Sequence, residues 1–234
     1  MDFKIHINDC LTALQNIPSE SVDALITDPP YCSGGFTEAG KMAAKTQGIT
    51  SSSDTLQRLG WFQNDNMTTA GLIWMLREMM IQAERILKPN TSALVFCDWR
   101  MVPLLAPALE SSGMMYRNMI IWDKLNGGLG NGFRPRHEVI LHFIKGKATF
   151  YDRTKHNVLP HKRVTPKNKQ HPTEKPVALL EDLITMVTDK GHTVVDPFMG
   201  SGSTGQACKN LNRKFIGIEK SEFFATNAKE KLDL

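Results

Sequence analysis

The chain has 234 residues, 41% of them hydrophobic and 22% charged, which is enough apolar material for one sizeable core. A single domain over residues 1–234 is the simpler reading of a length that also admits two. No apolar run reaches membrane-spanning length, the N-terminus lacks the pattern of a signal peptide, and Cys10, Cys32, Cys97 and Cys208 form no C-x-x-C pair, so composition argues against a membrane span, a metal site and a disulfide framework and fits a reducing cytoplasm.

Lys4 to Ile7 alternates as a short strand, Leu11 to Ile17 suits a helical turn or two, and Val22 to Thr27 is a buried strand. That strand runs into Asp28-Pro29-Pro30-Tyr31. The prolines lack N–H groups and fix φ, so the turn cannot extend the sheet and its carbonyls are aimed outward. The four residues form a clamp for a planar amine: Asp28 and the Pro29 carbonyl accept its two hydrogens, while Tyr31 stacks on the attached ring. An amine conjugated to its ring is a poor nucleophile. Two acceptors that pull its hydrogens out of plane restore the lone pair, and they are preorganised for the charge that develops on nitrogen. The bland alternative is a turn that merely ends a strand.

Residues 32–63 follow, with Gly34, Gly35, Gly40, Gly48 and three consecutive serines. A patternless stretch of that length is expected to be a mobile loop that covers the ring held by the clamp. Leu72 to Leu87 carries apolar residues on one helical face, with Pro89 expected to end it. Ser92 to Cys97 reads as a strand, Val102 to Ser112 as a helix despite Pro103 and Pro107, and Arg117 to Trp122 with Val139 to Ile144 as an antiparallel pair. The glycine-rich segment between that pair holds Phe133, Arg134 and Arg136, suited to wedging or stacking and to phosphate or base-edge contacts; a plain hairpin loop is the alternative. Trp61, Trp74, Trp99 and Trp122 are expected in the core or an interface.

The net charge of +4 is unevenly spread. Between Tyr151 and His171 stand Arg153, Lys155, Lys162, Arg163, Lys167 and Lys169 against Asp152 alone, a local surplus of +5. Pro160, Pro166 and the absence of periodicity make residues 145–171 a loop, and loops on a rigid scaffold tend to carry binding; a solvated face is the alternative.

Val177 to Val187 reads as a helix and Thr193 to Asp196 as an apolar strand. Next comes Pro197-Phe198-Met199-Gly200-Ser201-Gly202-Ser203-Thr204-Gly205, with a G-x-G-x-x-G spacing. A helix is expected from Gln206 to Leu211 and a strand from Phe215 to Ile218, ending in Glu219, nineteen residues after Gly200. That order builds a nucleoside-cofactor crevice, with glycines for close backbone approach and an acid for ribose hydroxyls. NAD and S-adenosylmethionine both fit such a crevice. Asp196 and Phe198 tilt the choice to S-adenosylmethionine, because an anion at the strand end repels a pyrophosphate and suits an ammonium or sulfonium.

With Asp28-Pro29-Pro30-Tyr31 first and Phe198-Met199-Gly200-Ser201-Gly202 last, the chain resembles the β class of DNA amino-methyltransferases. His171-Pro172-Thr173-Glu174-Lys175-Pro176 is similar to that family's segment that holds the methionine moiety. Asn8-Asp9-Cys10 is similar to its adenine-contacting Gly-Asp-Cys turn, with Asn8 in place of glycine. The resemblance implies an α/β, Rossmann-like S-adenosylmethionine-dependent fold that is circularly permuted, the catalytic half preceding the cofactor half. It implies cofactor contacts from Asp9, Cys10, Asp28, Thr173, Lys175, Pro176, Asp196, Pro197, Phe198, Gly200, Ser201, Gly202, Ser203, Thr204, Glu219 and Lys220. DNA is the implied partner, held by Arg134, Arg136, Lys155, Lys162, Arg163, Lys167 and Lys169, with the target base rotated out of the duplex. Asp rather than Ser at the head of the tetrad points to adenine N6. The short recognition segment points to a short or loosely read target site, and the family favours a homodimer. Cytosine N4, RNA or a protein amide remain alternative targets, and a nicotinamide oxidoreductase or a non-catalytic DNA-binding module are rival readings. An accompanying restriction nuclease is left open.

Overall fold

A computed structural model of the chain describes residues 2–30, 68–127, 132–164 and 174–234. Strands β1 (Phe3–Ile7), β2 (Val22–Thr27), β3 (Leu87–Cys97), β4 (Met115–Asp123), β5 (His137–Lys145), β6 (Val158–Pro160), β7 (Thr193–Asp196) and β8 (Lys214–Glu219) are interleaved with helices α1 (Cys10–Gln15), α2 (Thr69–Ile86), α3 (Val102–Glu110), α4 (Val177–Val187), α5 (Ser203–Asn210) and α6 (Glu222–Leu232). The strands form one sheet in the order β1-β8-β7-β2-β3-β5-β4-β6. Strands β1, β8, β7, β2 and β3 run parallel. Strand β5 opposes both β3 and β4, and β6 runs with β4.

The parallel strands are apolar on both faces because helices cover both. In β2, Leu25 points into a core built with α1, α2 and α3, while Ala24 and Ile26 point into a second core built with α4, α5 and α6. The late strands β8 and β7 lie inside the sheet between β1 and β2, the two earliest ones. Strand β8 continues sideways into β1, and the Phe215 amide donates to the Asp2 carbonyl at 3.1 Å. This arrangement puts the strand that follows the glycine turn and α5 next to the first strand of the chain. It sets Asp196, Glu219, Asp9 and Asp28 along one edge, at or just beyond the carboxyl ends of β7, β8, β1 and β2.

Several details depart from expectation. Helix α2 already ends at Ile86, and Pro89 sits inside the first residues of β3 rather than acting as the stop. Pro103 occupies the first turn of α3, where no intrahelical N–H is needed. Helix α5 begins at Ser203, three residues before the expected Gln206, so the glycine turn is shorter. Strand β6 lies within residues 145–171, which are therefore not all loop. The Ile121 amide donates to the Asn157 carbonyl at 2.7 Å, and the Trp122 indole donates to the His161 carbonyl at 2.7 Å. Trp122 is buried in the core, and Trp74 and Trp99, for which a core or interface place is expected, are 60% and 54% exposed in the single chain; Trp61 lies outside the described residues. Among the described residues no helix is long and apolar enough to cross a membrane.

Candidate active site

Strands β2 and β7 are neighbours, with Ala24 opposite Val194 and Leu25 opposite Val195. The chain therefore leaves the sheet side by side at Asp28 and at Pro197. Thr27 Oγ1 donates to Asp196 Oδ1 at 2.7 Å, Thr204 Oγ1 donates to Asp196 Oδ2 at 2.6 Å, and the Phe198 amide donates to Oδ1 at 3.1 Å. One carboxyl thus joins the strand before the diproline corner to the glycine turn, 169 residues away in sequence. The Asp196 carboxyl, expected beside a cationic ligand, accepts from two threonine hydroxyls in the chain itself. Burial pushes its pKa up to about 6, against the pull of the two hydroxyls and the Phe198 amide, with the Asp28 charge pushing the same way as burial.

The glycine turn divides its labour. Gly200 and Gly202 hold φ values of 51° and 76°, a left-handed backbone that side chains resist. Gly205 is needed for packing: a Cβ there lies 2.8 Å from Leu232 Cδ1 and 3.0 Å from Phe215 Cε1. Glu219 closes the turn from β8, accepting the Gly200 amide on Oε2 at 3.1 Å and the Ser221 amide on Oε1 at 2.8 Å; burial raises its pKa. The first turn of α5 brings Ser203 and Thr204 behind the glycines, both buried.

Asp9 caps α1 by accepting the Leu11 amide at 3.0 Å, and Lys220 Nζ stands 3.9 Å from its Oδ2. Cys10 turns its side chain to the core. It is the first residue of α1 on the core-facing side, packed in the cluster with Ala13 and Leu14, and burial pushes its thiol up to about 12.

The segment before α4 does more than the sequence suggested. Lys175 is 7% exposed, and its ammonium donates a short hydrogen bond to Asp28 Oδ2 and lies 3.3 Å from Glu138 Oε2 and 5.2 Å from the Phe96 ring centre. Glu138 Oε1 in turn meets Lys124 Nζ at 2.7 Å. Burial opposes the charge on Lys175, but Asp28 and Glu138 outweigh it and hold the pKa above its ordinary value. Burial likewise opposes the charge on Glu138, and Lys175 and Lys124 outweigh it in the other direction. Glu174, the preceding residue, accepts from Lys231 of α6 at 2.8 Å, and Ser203 Oγ is 3.5 Å from the same oxygen. Glu138, Lys124 and Lys231 were not singled out from sequence, and Glu174 entered only as part of the His171–Pro176 segment. The one signal present was Glu138 itself, an acid placed at the start of an otherwise apolar strand.

Tyr31, residues 32–63, Thr173, Lys167 and Lys169 lie outside the described residues. Of the remaining cations expected on DNA, Arg134, Lys162 and Arg163 are exposed. Arg136 is engaged by Asp123, its Nε donating at 2.7 Å and its Nη2 at 2.5 Å, and Lys155 pairs with Asp182 at 2.9 Å. Phe133 is fully exposed beside them.

The profile of the DNA methylase family, N6/N4 type, matches residues 22–230. The Type II methyltransferase M.HpaI of Haemophilus parainfluenzae is 31% identical over 258 residues, spanning 100% of this chain and 75% of that protein. Among solved structures, the complex of M1.HpyAVI with S-adenosylmethionine superposes with a TM-score of 0.71 at 28% identity, covering 99% of this chain and 100% of the other. The cytosine-N4-specific PvuII methyltransferase has the same fold, with a TM-score of 0.75 at 18% identity over 97% of this chain and 85% of the other.

Proposed function

Because the chain belongs to the N6/N4 family of DNA methylases, which are S-adenosylmethionine-dependent methyltransferases, we propose that it methylates the N6 amine of adenine in DNA. The observation that carries this reading is the hydrogen bond from Thr27 to Asp196, which brings the start of Asp28-Pro29-Pro30-Tyr31 against the glycine turn. The residues there fit S-adenosylmethionine. Gly200 and Gly202 allow the left-handed turn that leads into α5, and Glu219 lies beside it with a carboxylate suited to ribose hydroxyls. When bound, that cofactor supplies an electrophilic methyl group.

The chain's own residues prepare the acceptor. Asp28 and the Pro29 carbonyl take the two amine hydrogens, Tyr31 stacks on the base, and the nitrogen lone pair is exposed to the methyl carbon. Alignment supplies much of the acceleration, so the corner must be held rigidly. The nitrogen gains positive charge as the new bond forms and then releases a proton made acidic by that charge. Asp at the head of the tetrad supports adenine over cytosine, and the exposed Arg134, Lys162 and Arg163 support a DNA backbone contact.

Incubation with labelled methyl donor and unmethylated DNA, followed by hydrolysis to nucleosides, tests the reading. N6-methyladenine is the expected product. N4-methylcytosine would overturn the choice of amine, and an unlabelled DNA pool would overturn the activity. Asp28→Ala is expected to abolish transfer while DNA binding persists.

A further inference from the structure

We propose that Glu138, braced by Lys124, is a positioning residue for methyl transfer, acting through Lys175 to fix the carboxylate of Asp28. The inference rests on Asp28 being the acceptor of the amine hydrogens.

Four side chains from four places in the chain meet across the carboxyl edge of the sheet: Lys124 after β4, Glu138 in β5, Lys175 before α4 and Asp28 after β2. Their charges alternate, and they sum to zero. The order matters physically. A single lysine paired with Asp28 would leave the ammonium on a long, flexible stem, and the carboxylate would follow it. Here the ammonium is held between two carboxylates and above the Phe96 ring, and the second carboxylate is itself held on its other oxygen by Lys124. Each partner removes a rotation that the next would otherwise keep. The strand register supports this: Glu138 lies opposite Trp122, whose indole is tied to the His161 carbonyl, and the next residue, Val139, is paired with Cys97 of β3. Lys175 thereby commits one oxygen of Asp28 and holds the plane of the carboxylate relative to the diproline corner.

Lys175 also carries an electrostatic task. Asp28 and Asp196 are close enough for their charges to interact, and Glu138 adds a third carboxylate to the neighbourhood. In this proposal the buried cation offsets the repulsion among these carboxylates and so supports Asp28 as an acceptor only. Removing the cation should favour protonation of Asp28, which would turn one acceptor toward the amine into a donor.

The full-length chain tests this with Glu138→Gln, Lys124→Met and Lys175→Met. Single-turnover methyl transfer is followed against pH, and binding of S-adenosylhomocysteine and of DNA is measured beside it. Glu138→Gln is expected to slow transfer by about tenfold or more with both affinities within about twofold, because a misplaced acceptor costs rate rather than binding. Lys175→Met is expected to move the acid limb of the rate profile upward by about one pH unit or more, so that part of the activity returns at alkaline pH. A merely structural loss would lower the rate at every pH alike. If Glu138→Gln fails to fold, Lys124→Met carries the same test from the outer end of the chain, with a fall of about threefold. An adenine-methylating wild type whose Glu138→Gln or Lys124→Met variant keeps its rate, or loses only affinity, overturns the positioning role alone. A wild type that methylates no DNA overturns the activity and this role with it.

Discussion

Replacing Asp196 by asparagine should remove a marked pH dependence of stability. The carboxyl is 2% exposed, and burial pushes its pKa from 3.8 up to about 6. An acid raised in the folded state keeps a proton that the unfolded chain has released. Its contribution to stability is complete below about pH 4 and is lost as pH rises through about 6. The loss spans about two pH units at ~1.4 kcal/mol each, or ~3 kcal/mol. Asparagine mimics the protonated acid. Its oxygen can accept from Thr27 Oγ1 and the Phe198 amide, and its NH2 can donate to a Thr204 hydroxyl that turns to accept. Urea unfolding of both proteins from pH 4 to 7.5 reads the difference directly, because every other titrating group is common to the two. The wild type is expected to lose ~3 kcal/mol relative to Asp196→Asn across that range. Parallel stability curves would refute the assignment of a raised, buried carboxyl at the junction of β2 and β7.

Gly205→Ala forces a Cβ to within 2.8 Å of Leu232 Cδ1 and 3.0 Å of Phe215 Cε1, so overpacking of ~1–3 kcal/mol is expected, seen as a lower melting temperature. An unchanged melting temperature would show that α6 yields freely. The double variant Lys162→Gln with Arg163→Gln is expected to weaken DNA binding by similar factors on all sequences and to flatten the salt dependence by about two counter-ions. A salt slope equal to that of the wild type would remove both residues from the DNA face.

The parallel sheet was largely legible, because its signal is local: apolar runs bounded by acids and prolines gave β2, β7 and β8, and the helical stripe gave α2. Helix α4 and the antiparallel pairing of β4 with β5 followed from the same kind of pattern. Strand β6 escaped because three residues carry too little periodicity, and because its cationic surroundings read as loop. Helix α6 escaped because its apolar residues are few and its solvent face is charged. Within the site, the acids and glycines at strand ends were legible one by one. Their partners were not, since an ion pair between Lys175 and Glu138 depends on which strands become neighbours. For the same reason Asp196 looked like a ligand group in sequence and became a buried joint once Thr27 and Thr204 were placed around it.

Two fastenings hold the tetrad to the glycine turn, and they differ in kind. The inner one is the neutral-to-anionic junction of Thr27, Asp196 and Thr204, which joins the strands below the site. The outer one passes through two consecutive residues: Glu174 grips Lys231 on α6, and Lys175 grips Asp28 and Glu138 on the catalytic side. Adjacent Cα atoms are ~3.8 Å apart whatever the side chains do, so the two halves cannot separate without breaking one of these ion pairs. Breaking a buried pair by removing one partner costs ~3–5 kcal/mol, far more than an exposed pair on the surface. The diproline corner and the glycine turn are encoded at opposite ends of the chain, so tertiary contacts must keep them in line. The alternating charges of Glu174 and Lys175 supply such a contact from the backbone just before α4.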